Sequence, residues 1–120
     1  MTQQKVNFSL RVEEHGKIAV AFLEGFLDES AGQELITAIQ AKIDAKFTRF
    51  VFDFQKVRNI SSPAVAAILD LAEKITDTLS GKLLISGLSE LNLKIFEMVG
   101  VFLYADACPT TQEAEVKASM

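Results

Sequence analysis

Apolar and polar positions along the chain fall into short runs of two periods. Phe8-Ser9-Leu10-Arg11-Val12 alternates and reads as a half-buried strand. Ile18-Ala19-Val20-Ala21-Phe22-Leu23 is apolar almost throughout and reads as a second strand. Glu13-Glu14-His15-Gly16-Lys17 joins them as a hairpin turn, with Gly16 able to take positive φ. Gly25-Phe26-Leu27-Asp28 is expected to break the second strand. Ser30 and Gln33 have capping-box spacing for a helix with Leu35, Ile36, Ile39 and Ile43 as its stripe. Gly32 is expected to fray its first turn.

The run Arg49-Phe50-Val51-Phe52-Asp53-Phe54 reads as a strand buried on both faces. Beyond Asn59-Ile60-Ser61-Ser62-Pro63, Val65, Ile68, Leu69, Ala72, Ile75 and Leu79 recur at helical spacing. Pro63 suits the first helical position, which places Ser62 at the N-cap. Ser80-Gly81 ends that helix. Lys82-Leu83-Leu84-Ile85-Ser86 is a further strand, expected parallel to the buried one through a right-handed crossover. A third helix from about Ser89 is expected to turn Leu91, Ile95, Met98 and Val99 inward and to close at Gly100. Val101-Phe102-Leu103-Tyr104 reads as a short edge strand. Thr110 and Glu113 have the spacing of a cap for a last short helix, and a loose tail after Pro109 is the alternative. The order predicts an α/β fold: a small mixed sheet, an antiparallel N-terminal hairpin plus parallel strands, with helices packed on it.

Composition narrows the function more than the fold. The 120 residues suit one domain, with a core expected over about 6–115. A formal charge of −4 and a pI near 5.0 give no basic footprint for nucleic acid. Nine Phe, one Tyr and no Trp suggest aromatics used for packing. No apolar run reaches the roughly eighteen residues of a membrane span, and residues 1–5 are too polar for a signal peptide. One His and one Cys rule out a His/Cys-based metal cluster or a Cys/His pair built on neighbouring ligands. His15 is expected to be solvent-exposed in its turn, and Cys108 to be an ordinary small residue that leaves a reducing cytoplasm compatible. No Gly-rich phosphate loop is present, so no cofactor is expected.

Two hydroxyls therefore stand where a buried strand hands over to a helix, the edge at which ligands collect in α/β sheets. A cap alone accounts for them. A phosphoacceptor is the alternative, its phosphate expected to meet the N–H groups of Ala64 and Val65 and the positive helix end. Asp28, between a strand and a helix, is either a cap or a carboxylate placed beside that hydroxyl. Asp53 is expected to end its strand and bond nearby backbone, in support.

These segments together resemble the STAS domain, specifically the stand-alone anti-sigma factor antagonists of bacteria. Gly25-Phe26-Leu27-Asp28 is similar to the family's G-E-L-D segment, and Phe50-Val51-Phe52-Asp53-Phe54 through Val57 to its apolar strand. Ile60-Ser61-Ser62-Pro63-Ala64-Val65 occupies its phosphorylation segment. Gly81-Lys82-Leu83-Leu84-Ile85-Ser86-Gly87 and Ile95-Phe96-Glu97-Met98-Val99-Gly100-Val101 match its later strand and helix. The likeness runs from about Val6 to Glu115, and the order and spacing of the segments carry it.

The resemblance implies a cytoplasmic switch protein without catalysis of its own. Its implied partners are a serine kinase that doubles as anti-sigma factor and a metal-dependent phosphatase that restores binding. It puts the phosphoacceptor on Ser62, with Ser61 as second choice, and a docking patch on Asp28, Ser61, Ala64 and Ala67. Four positions depart from the family's pattern. Ser61 stands for an Asp, Pro63 for a Ser, Ala64 for a Gly, and Phe26 for a Glu. A non-phosphorylated STAS scaffold, in a stressosome-like assembly or a lipid-transport complex, is the alternative function.

Overall fold

The computed structural model describes residues 8–120; residues 1–5 and Val6, read above, lie outside the described residues. Strands β1 (Phe8–His15) and β2 (Ile18–Leu27) form the expected antiparallel hairpin, with Gly16 at φ 63° in its turn. Strands β3 (Arg49–Ile60), β4 (Lys82–Ser86) and β5 (Asp106–Cys108) then add in parallel, giving the order β1-β2-β3-β4-β5. Helices α1 (Glu29–Asp44), α2 (Ser62–Glu73) and α3 (Glu90–Val99) connect the parallel strands, and α4 (Thr111–Ala118) follows β5.

The period-two pattern divides the sheet into unequal faces. Ala19, Ala21 and Leu23 of β2, Phe50, Phe52 and Phe54 of β3, and Leu83 and Ile85 of β4 pack with α1, α2 and Phe96 of α3 in the main core. Ile18, Val20, Val51, Leu84 and Cys108 point the other way, where Ala114 and Ala118 of α4 cover them. Near-continuous apolar runs in β2 to β4 follow from burial on both sides.

Several expectations shift. Gly25 does not break β2; two irregularities in the pairing with β3, between Phe22/Glu24 and Gly25/Leu27, absorb the special backbone, and both strands run on to Leu27 and Ile60. Such bulges strengthen twist without ending a strand. Gly32 does not fray its helix: a Cβ there would lie 3.3 Å from both Ala64 Cα and Ala67 Cβ, so the glycine lets α1 and α2 pack closely. Helix α2 passes into a π-helical turn at Lys74–Thr78, and Ser80 (φ 54°), not Gly81, takes the left-handed position after it. Gly81 is required for another reason, since a Cβ would sit 2.1 Å from the Thr48 carbonyl oxygen. Val101–Leu103 is a 3-10 turn, and the edge strand begins further on at Asp106. In α3 the buried residues are Asn92 and Phe96, while Leu91 (66% exposed), Met98 (85%) and Val99 face outward. The tail is ordered: Thr110 caps α4 by accepting from the Glu113 N–H at 3.1 Å.

Candidate functional site

Parallel strands bring the helix starts to one rim. Leu27 is registered with Ile60, so the residues that follow them, Asp28 and Ser61, arrive side by side. The Ser61 N–H donates to the Leu27 carbonyl at 2.7 Å and locks the two chain reversals together. Asp28 is the N-cap of α1, accepting from the Ala31 N–H at 2.9 Å; Ser30, two residues on, is inside the helix. Ser61 is the N-cap of α2, accepting from the Ala64 N–H at 3.3 Å. The cap therefore falls one residue earlier than expected, and Ser62 and Pro63 occupy the first two helical positions. Proline is tolerated anywhere in that unbonded first turn, so its presence fixes the helix start only to within a residue.

That one-residue shift separates the two hydroxyls chemically. Ser61 is half-buried and its oxygen is committed to the cap. Ser62 is exposed, and its hydroxyl makes no hydrogen bond among the described residues. The two N–H groups expected to receive a phosphate are already occupied: Ala64 by the Ser61 hydroxyl, Val65 by the Ser61 carbonyl at 2.9 Å. Neither N–H is therefore free to serve as a backbone cradle at Ser62.

The small face proposed from the sequence is also redistributed. Ala64 and Ala67 are buried under Gly32 and are not available to a partner. The small residue beside Ser62 and Pro63 that does face outward is Ala66. Asp28 is half-buried at the same rim, and Phe26, two residues before it, is 43% exposed. An open groove of about 960 Å³ adjoins this rim on the sheet side, bounded by Glu24, Phe26, Lys56, Arg58 and Asn59 among others.

Asp53 lies within β3, not at its end, and bonds both backbone and side chain. Its carboxylate accepts from the Gln55 N–H at 2.8 Å and from the Thr111 hydroxyl at 2.7 Å; Ser86 Oγ lies 2.8 Å from the same Thr111 oxygen. Asp53 is thereby a tie between the sheet and α4. Thr111 was not legible as its partner, because 58 residues of chain separate the two.

His15 is not a free surface imidazole. Its Nε2 lies 2.9 Å from Glu13 and its Nδ1 2.9 Å from Glu115 of α4, and the ring packs against Phe22 with centroids 6.3 Å apart. Hydrogen bonds from the ring to Glu13, then to Glu115, raise its pKa above the ordinary 6.5, against an opposing effect of burial. Cys108 is buried, and desolvation raises its thiol pKa above 9.0.

The family profile described as STAS domain matches residues 9–114. No curated protein sequence matches the chain. Among solved structures, an anti-sigma factor antagonist from Mycobacterium paratuberculosis superposes with a TM-score of 0.82 at 18% identity, covering 94% of this chain and 95% of that one. The Bacillus cell fate determinant SpoIIAA in its phosphorylated form gives 0.73 at 20% identity, covering 91% and 98%. A putative anti-sigma factor antagonist from Thermotoga maritima gives 0.82 at 10% identity, covering 92% and 95%. At these identities the superpositions show a shared fold, with the five-stranded mixed sheet in common.

Proposed function

Because the chain belongs to the STAS domain family, we propose that it is an anti-sigma factor antagonist-type switch, controlled by reversible phosphorylation of Ser62. The observation that carries this reading is the division of labour at the α2 start. Ser61 is used up in capping, while the Ser62 hydroxyl stands exposed and uncommitted at the rim it shares with Asp28. The protein acts by binding and does no chemistry itself; its one imidazole is engaged by two carboxylates and its one thiol is buried and protonated. The unphosphorylated form binds a serine kinase that doubles as anti-sigma factor, and a metal-dependent phosphatase restores it.

Release is electrostatic and steric. Phosphorylation adds about −1.5 to −2 charges at Ser62. With the Ala64 and Val65 N–H groups already engaged by Ser61, that charge is left to repel an acidic partner surface and the Asp28 carboxylate at the shared rim. The docking face accordingly comprises Ser62, Pro63 and Ala66, with Asp28 and Phe26 at its border. The kinase captured on the immobilised unphosphorylated protein, supplied with ATP, tests the assignment. Intact mass should show one added phosphate on the wild type and on Ser61→Ala, and none on Ser62→Ala. A phosphate on Ser62→Ala at the wild-type level overturns the site.

A non-phosphorylated STAS scaffold is the second reading, favoured by the outward Leu91 and Met98 of α3, which offer an apolar face for assembly. Its signature is a stable complex in which Ser62→Glu binds the captured partner as tightly as the wild type does.

A further inference from the structure

Helix α4 is the sole element covering its face of the sheet among the described residues, yet its apolar hold is slight. Ala114 and Ala118 are its buried residues, and Val116 faces outward. It is kept in place mainly by polar ties. Thr111 bonds Asp53 and Ser86, the Arg49 guanidinium donates to the Ala118 carbonyl, and the Lys82 ammonium donates to the Met120 carbonyl at 3.1 Å. The remaining tie is Glu115 to His15, and it joins the last helix to the first strand across 100 residues of chain. Arginine, lysine and aspartate keep their charges through neutral pH; histidine does not.

The geometry around His15 belongs to its charged form. Both ring nitrogens lie 2.9 Å from carboxylate oxygens, and an ionised carboxylate only accepts. An imidazolium donates to both. A neutral imidazole has one N–H, so either tautomer leaves a lone pair facing a carboxylate and breaks one of the two bonds. The charged groups against the ring are Glu13 from β1, itself paired with Arg11, and Glu115 from α4; β2 contributes the Phe22 ring.

We infer that His15 is a proton-operated clamp, which ties α4 to β1 through Glu115 and Glu13 while charged and loosens α4 when it loses its proton. The folded-state pKa is raised above 6.5, so the tie is complete below 6.5 and is lost as pH rises through the folded value. Glu13 is lowered from 4.5 by His15 first and Arg11 second, so its half of the clamp is lost as pH falls through that lowered value. Its Glu13 half is closed between these limits. Opening the clamp at the alkaline side leaves α4 on the Thr111, Arg49 and Lys82 ties alone, so α4 opens more often while the α1–α3 side, which none of these groups touches, is unaffected.

A chain with one histidine makes the test direct. NMR titration should give a His15 Cε1–H midpoint above 6.5, and the Ala114 and Ala118 methyl signals should move with the same midpoint. Amide exchange in α4, corrected for its intrinsic pH dependence, should quicken roughly 3- to 10-fold across that transition. Glu115→Gln should bring the midpoint back toward 6.5, and His15→Gln should leave the α4 signals flat. A midpoint at or below 6.5 overturns the clamp. So do α4 signals that ignore the His15 titration, or that still titrate in His15→Gln.

Discussion

At the scale of single residues, the α2 start shows how little separates a capping serine from an uncommitted one. Ser61 and Ser62 are adjacent and chemically identical, and only the helix frame distinguishes them. The cap serine accepts a backbone N–H, and its neighbour is turned out of that role. Stability measurements should separate them without any partner. Ser61→Ala should lower the unfolding free energy by about 1 kcal/mol, as lost N-caps do, whereas Ser62→Ala should change it by less than about 0.5 kcal/mol. Equal losses in urea denaturation would mean that both hydroxyls cap the helix. Asp28 is the parallel case at α1, where its cap to Ala31 predicts a loss of about 1 kcal/mol for Asp28→Ala. The structure gives Asp28 the capping role, and a carboxylate suits a cap and a place beside the Ser62 hydroxyl alike, which is why the residue type left the two open.

At the scale of elements, what was legible followed periodicity, and what was missed depended on contacts distant in the chain. The hairpin, the buried strands and the stripes of α1 and α2 were readable because each apolar position repeats at the period of its own element. The stripe of α3 was misread except at Ile95, which packs against the core, since its apolar residues outnumber the places available to them. Asn92, not Leu91, faces β3, where its amide donates to the Arg58 carbonyl at 3.4 Å. Gly32 was read by helix propensity, which favours alanine by about 1 kcal/mol, but its neighbours decide otherwise. The contact at 3.3 Å is to backbone of the α2 first turn, which the Ser61–Leu27 bond anchors to β2. Relief by helix displacement is therefore resisted, and overpacking of 1–3 kcal/mol outweighs the propensity gain. Gly32→Ala should lose about 1 kcal/mol and shift the amide signals of Ser62 and Ala64. A stabilised variant with unmoved α2 signals would show that the helices have slack.

At the scale of the molecule, the two faces of the sheet are built unequally. One side carries three helices and nearly all the large apolar side chains, whereas the other relies on α4 and two alanines. The family resemblance was readable from segment order because the first side generates the segments; the second side, assembled from Asp53, Ser86, Thr111, His15 and Glu115, has no local pattern to read. Cys108 lies under α4 and reports on it. The residue is 5% exposed, and burial raises its thiol pKa, so the reactive thiolate is scarce at neutral pH. In the intact protein Cys108 should react with a disulfide reagent at least about tenfold more slowly than a free thiol, because reaction requires α4 to open. Thr111→Val removes the hydroxyl that binds Asp53 and leaves that carboxylate short of a partner, a loss of about 1–3 kcal/mol at the α4 anchor. The variant should speed thiol modification by about tenfold while the far-ultraviolet spectrum of the α1–α3 side persists. An unchanged rate would mean that the Thr111–Asp53 bond is incidental, and that the Arg49, Lys82 and His15 ties with the Ala114 and Ala118 contacts hold α4 without it.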